Sequence, residues 1–125
     1  MKLFTIDEAN ALLPSVREIL LGLKRSRQRL AAHSSEAQLA AENAEQGGGG
    51  MANGHVYAQL LTSFSSEMGE LESLGVQLKD FERGLIDFPC LRDGRVVLLC
   101  WQLGEGDELE WWHDVDAGFA GRTPL

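Results

Sequence analysis

Between Leu85 and His113 the apolar positions form short runs separated by turn-forming clusters. Leu85 to Leu91 is apolar, and Arg92-Asp93-Gly94-Arg95 then supplies an Asp-Gly hairpin turn. Val96 to Leu103 is a near-continuous apolar run, followed by Gly104-Glu105-Gly106-Asp107. Leu109 to His113 closes an antiparallel meander of three strands. With a two-residue turn at Asp93-Gly94, Leu91 faces Val96, Cys90 faces Val97 and Asp87 faces Cys100. A four-residue second loop sets Leu103 opposite Glu108, Cys100 opposite Trp111 and Leu98 opposite His113.

Alternation sorts this register into two faces. Ile86, Phe88, Cys90, Val97, Leu99, Trp101, Leu103 and Trp112 share one, with Glu108 and Glu110 on the edge strand. Leu85, Pro89, Leu91, Val96, Leu98, Cys100, Leu109 and Trp111 share the other, with Asp87, Gln102 and His113. Both are mainly apolar, whereas a sheet wetted on one side carries polar residues there. Each face therefore needs a cover.

Upstream the period changes to that of a helix. Thr5-Ile6-Asp7-Glu8 has the form of a capping box, and a short helix from Ile6 to Leu13 is predicted, with a kink or restart at Pro14. From Ser15, Val16, Ile19 or Leu20, Leu23, Leu30 and Ala37 keep one stripe, with Arg27 interrupting, and helical preference runs to about Gln46. Residues 47–54 are too rich in glycine for a helix and read as a flexible hairpin tip. A phosphate loop lacks its preceding strand and its Lys-Ser/Thr.

Tyr57, Leu61, Phe64, Met68 and Leu71 then predict a second long helix, about His55 to Leu74, stopped by Gly75. The pair makes an antiparallel hairpin over 6–74. Val76 to Asp80 alternates and adds a fourth strand at the sheet edge, and Asp114 to Leu125 reads as an ordered loop. The expected fold is α+β and a single domain: a long antiparallel helical hairpin packed on a small antiparallel meander of three to four strands, with sheet and C-terminal loop at 76–125.

Length and composition agree with one soluble globular domain of 125 residues. The net charge of -8 disfavours nucleic acid and anionic membranes as partners. The imbalance is local, since residues 64–125 carry five Lys/Arg against thirteen Asp/Glu. Lys24, Arg25, Arg27 and Arg29 read as a solvated helix face. Neither an export core nor a membrane-length apolar run is present, so a cytoplasmic protein with two thiols is expected. Cys90 and Cys100 point to opposite faces and cannot bridge.

Several of these segments fall into motifs. Phe4-Thr-x-x-Glu-Ala-Asn-Ala-Leu-Leu-Pro14, Gln77-x-Lys-Asp80 and Gly84-Leu-x-Asp-Phe-Pro89 are followed by two more specific ones. These are Leu99-Cys-Trp-x-Leu-Gly-Glu105 and Trp112-His-x-x-Asp-Ala-Gly-Phe-Ala-Gly-Arg122. Together they resemble a family of small bacterial proteins catalogued as domain of unknown function 2203. The resemblance spans nearly the whole chain outside the glycine-rich tip, and it implies no activity and no catalytic residue.

Candidate chemistry gathers in the last third. His113, Asp114 and Asp116, with Asp87 and Glu105 as helpers, offer an imidazole and hard carboxylates to a divalent metal such as Mn, Fe or Zn. Asp87 shares a face with His113, but two strand spacings separate them by about 9.5 Å, too far for one metal unless the strands splay or a ligand spans them. A carboxylate on that apolar face needs a partner, for which Arg122 or Arg83 is expected. Asp87, Trp101, Trp111, Trp112 and Arg122 are the candidate ligand-binding set. Gly118 to Arg122 can dock the tail or cradle an anion. Cys100, with no histidine or base neighbouring it on its own strand, reads as a buried small hydrophobe, and His33 and His55 as solvent-facing.

The first expectation is a homodimeric, non-enzymatic binding or scaffolding protein, a second copy covering the apolar face that the helices leave open. The other is a metal-dependent enzyme or binder using the His113/Asp116 cluster.

Overall fold

The computed structural model describes residues 1–44 and 52–125; the segment 47–51 of the expected glycine-rich tip lies outside them. Two helices, α1 (Ile6–Ala44) and α2 (Ala52–Ser73), precede five strands. These are β1 (Gln77–Asp80), β2 (Leu85–Arg92), β3 (Arg95–Gln102), β4 (Trp111–Asp114) and β5 (Thr123–Pro124). A short 3-10 turn at Phe119–Gly121 precedes β5. The fold is α+β, and its sheet is a meander in the order β1-β2-β3-β4-β5, one strand more than expected.

Two compact units divide the chain, one of residues 1–20 and 70–125, the other of residues 21–69. In the first, the capping box forms as its sequence requires. The Thr5 N–H donates to Glu8 Oε1 at 3.2 Å and the Glu8 N–H to Thr5 Oγ1 at 3.0 Å. The helix then runs through Pro14 without a restart. Leu13 and Val16 flank the proline and are both fully buried, so packing on either side overrides the missing hydrogen bond. Gly75 ends α2 at φ +86.

The register is the one the turns dictate. Asp93 and Gly94 take φ 51 and 79, as a type I′ turn requires, and close the pairs Arg92↔Arg95 and Leu91↔Val96. Along the ladder Asp87 faces Cys100, and across the next one Cys100 faces Trp111 and Leu98 faces His113. Gly84 sits at φ +61 where a Cβ would meet the Leu103 side chain at 2.7 Å, so any other residue strains the entry to β2. Pro89 is tolerated because β1 ends at Gln77↔Asp87, leaving that edge open. Its carbonyl accepts the Phe4 N–H at 2.7 Å.

One face of the sheet takes the start of α1. Phe4 packs edge-on against Phe88, ring centroids 5.3 Å apart, and the Arg17 guanidinium lies over Trp101. Asn10 Oδ1 accepts the Leu109 N–H at 2.7 Å. The second face was expected to need another copy of the chain. Around Asp87 it is buried within one chain, with Asp87 1% exposed, Cys100 0%, His113 3% and Leu98 4%, whereas Leu91 at the hairpin end of that face is 59% exposed. The cover is the tail, expected to be a loop, which folds back and adds β5 to β4. Arg122 holds it there. Its Nη1 reaches both Glu105 carboxylate oxygens at 3.0 Å, and its guanidinium stacks over Phe119 and Trp111.

In the second unit α1 and α2 run antiparallel, since Ser26 bonds Glu67 and His33 stacks on Tyr57. His33 is buried, not solvent-facing, because it continues the inward stripe of Leu23 and Ser26; His55 is exposed. Ala52 to Gly54 is helical where a tip was expected. The stripe expected to be core is partly open here: Tyr57 is 39% exposed and Leu61 41%.

Candidate metal centre

Three strands bring three different donor atoms together. Asp87 stands at the middle of β2, Cys100 directly opposite it on β3, and His113 on β4 opposite Leu98, two residues from Cys100. Alternation turns all three to the tail-covered face. One donor atom from each of Asp87, Cys100 and His113 lies within 4.8 Å of the others, and all three residues are buried. Among the described residues no other such group of three forms.

The distance between Asp87 and His113 corrects the sequence argument. His113 Nε2 is 3.2 Å from Asp87 Oδ1, although their strands are separated by β3. Strand spacing measures backbones, whereas both side chains lean over Cys100 toward each other. Neither Arg122 nor Arg83 pairs with Asp87: the first binds Glu105 and the second lies over Phe119.

Hydrogen bonding decides which imidazole nitrogen carries a proton. Nδ1 lies 2.7 Å from the Asp114 carbonyl oxygen, which can only accept, so Nδ1 is the donor. In the neutral ring Nε2 is then a lone pair aimed at a carboxyl oxygen. Two acceptors at 3.2 Å need a cation between them, either a proton or a metal. Burial pushes the Asp87 carboxyl above its ordinary value of 3.8, against the pull of His113, Cys100 and Lys79. The Cys100 thiol donates to Asp87, and burial with the neighbouring carboxylate pushes it up to about 12. The acid–base pair beside Cys100 comes from the two neighbouring strands and not from its own, and without a metal Cys100 is a thiol and a poor nucleophile.

A cavity of about 140 Å³ opens beside the pair. Leu85, Leu98, Val115 and Phe119 form its apolar wall, Gly118 lies at a turn with φ +67, and Asp87, His113 and Lys79 supply its polar side.

The other sequence candidates lie elsewhere. Asp114 is exposed and pairs with Arg95 at 3.2 Å, although its carbonyl orients His113. Asp116 is exposed. Glu105 accepts from Arg122 and from the Gln102 N–H at 2.8 Å. Of the four proposed ligands, only His113 belongs to the buried cluster. Trp101 is buried on the opposite face with its indole N–H on the Gly106 carbonyl. Trp112 lies near Arg92 and Arg95, and Trp111 under Arg122. Cys100 was missed as a ligand, yet its pairing with Asp87 is readable from the Asp93-Gly94 turn.

The model of the family described as an uncharacterized conserved protein, DUF2203, matches residues 2–125. No curated protein and no solved structure matches the chain.

Proposed function

The chain belongs to the DUF2203 family, and from that premise we propose that it binds one divalent metal through Asp87, Cys100 and His113. The observation that carries this reading is His113 Nε2 facing a buried Asp87 carboxyl oxygen at 3.2 Å, with a thiol beside both. The Nδ1–H bond to the Asp114 carbonyl supports it, since metal-bound histidines are oriented in this way by their second nitrogen. A mixed set of sulfur, nitrogen and oxygen suits Zn(II), Fe(II) or Co(II) and not the hard cations Mg(II) or Ca(II). Three protein ligands leave a further coordination position, as in catalytic rather than structural zinc sites. The apolar sheet and the N-terminal segment that packs on it at Phe4 and Arg17 give this centre a packed floor.

Titration of metal-free protein with Zn(II) and Mg(II), followed by calorimetry and thermal melting, tests the proposal. One equivalent of zinc with a raised melting temperature is expected, and no response to magnesium. Zinc uptake that is substoichiometric, or that persists after Cys100→Ser and Asp87→Asn together, contradicts it.

A second reading, self-association, draws on the apolar residues left exposed in the unit of residues 21–69. Leu39 is 60% exposed, Val56 44%, Leu61 41% and Tyr57 39%. Light scattering at micromolar concentration distinguishes dimer from monomer, and Tyr57→Glu with Leu61→Glu is expected to give the monomer. Two free thiols fit a reducing compartment, and among the described residues no helix is long and apolar enough to cross a membrane.

A further inference from the structure

The cavity beside the metal ligands carries its own chemistry. Its walls join Leu85, Leu98, Val115 and Phe119 to a polar end of Asp87, His113 and Lys79. Lys79 reaches that end through an irregularity in the sheet. Leu78 pairs with Ile86 and Asp80 with Leu85, so Lys79 is an extra residue without a cross-strand partner. Such bulges re-aim a side chain, and this one sets a cation at the rim, where it acts on the Asp87 charge.

Charge then decides what fits. A divalent metal held by the Asp87 carboxylate, a Cys100 thiolate and a neutral His113 is balanced, two positive charges against two negative. Lys79 adds one positive charge among the lining residues. We propose that the cavity takes a short-chain aliphatic monocarboxylate, its carboxylate shared between the metal's further coordination position and Lys79, and its alkyl part against Leu85, Leu98, Val115 and Phe119. The volume of about 140 Å³ admits a body of only a few heavy atoms. This inference rests on the metal reading above and names the ligand of the same site.

Cobalt(II) is the probe metal and propionate the probe ligand. Cobalt-loaded protein titrated with propionate is expected to show a saturable change in the visible cobalt bands, matched by heat in calorimetry. Lys79→Met is expected to weaken propionate roughly tenfold, the worth of one charge-assisted contact, while cobalt uptake is retained. Octanoate, too long for the cavity, is expected to leave the bands unchanged. A spectrum indifferent to propionate, or equal propionate affinity in Lys79→Met, overturns the inference and leaves the metal reading standing. Failure to bind cobalt overturns both.

Discussion

Asp87→Asn separates a metal ligand from a structural carboxyl. The change is nearly isosteric and suits the metal-free cluster. An amide N–H meets the Nε2 lone pair at the 3.2 Å position, and the amide oxygen still accepts the Cys100 thiol. The metal-free variant is therefore expected within about 1 kcal/mol of the parent. Metal stabilisation is another matter. Zinc at a hundredfold over its dissociation constant stabilises the folded state by about 2.7 kcal/mol. Over 125 residues, an unfolding entropy of about 2.1 cal/mol/K per residue gives about 0.26 kcal/mol/K, so the parent should gain about 10 °C. An amide is a weak zinc ligand, and the variant should gain almost nothing. Differential scanning calorimetry with and without zinc reads both numbers. An equal zinc shift in the two proteins refutes the reasoning about Asp87. So does a metal-free variant weakened by more than about 3 kcal/mol, because that marks a broken buried ion pair, not two facing acceptors.

Other consequences are simpler to check. The raised Asp87 carboxyl makes its contribution to metal-free stability full below pH 3.8 and lost as pH climbs through the higher folded value. Melting in chelator across that range should show this slope in the parent and lack it in Asp87→Asn. Arg122→Ala removes the ion pair to Glu105 and the stacking on Phe119 and Trp111, at about 2–3 kcal/mol. Hydrogen exchange should rise first at residues 115–124; uniform exchange across the sheet would contradict the tail's role as cover. Gly84→Ala forces a Cβ within 2.7 Å of Leu103 at φ +61 and should cost about 2 kcal/mol or more by denaturant unfolding.

What could be read in the residues depended on how local the determining forces were. The Asp93-Gly94 turn dictates its own φ values, and those alone align Asp87 with Cys100 and, through the next loop, Leu98 with His113. The capping box at Thr5 and the stop at Gly75 are equally local. Pro14 is the opposite case, a helix-breaking residue held in register by the burial of Leu13 and Val16. The cover of the second face was also invisible locally. Thr123 and Pro124 carry no strand signal, and they pair with β4 beside an Arg122–Glu105 contact that spans seventeen residues of sequence. The site was half legible for the same reason. Its register was in the turns, but the reach of two side chains across an intervening strand was not.

Zinc K-edge X-ray absorption on protein loaded with one equivalent of zinc tests the central claim most directly. The account predicts one sulfur at about 2.3 Å together with nitrogen and oxygen ligands at about 2.0–2.2 Å, and loss of the sulfur shell in Cys100→Ser. A shell of nitrogen and oxygen alone, unchanged by that substitution, would mean that zinc sits elsewhere and that Asp87, Cys100 and His113 share only protons.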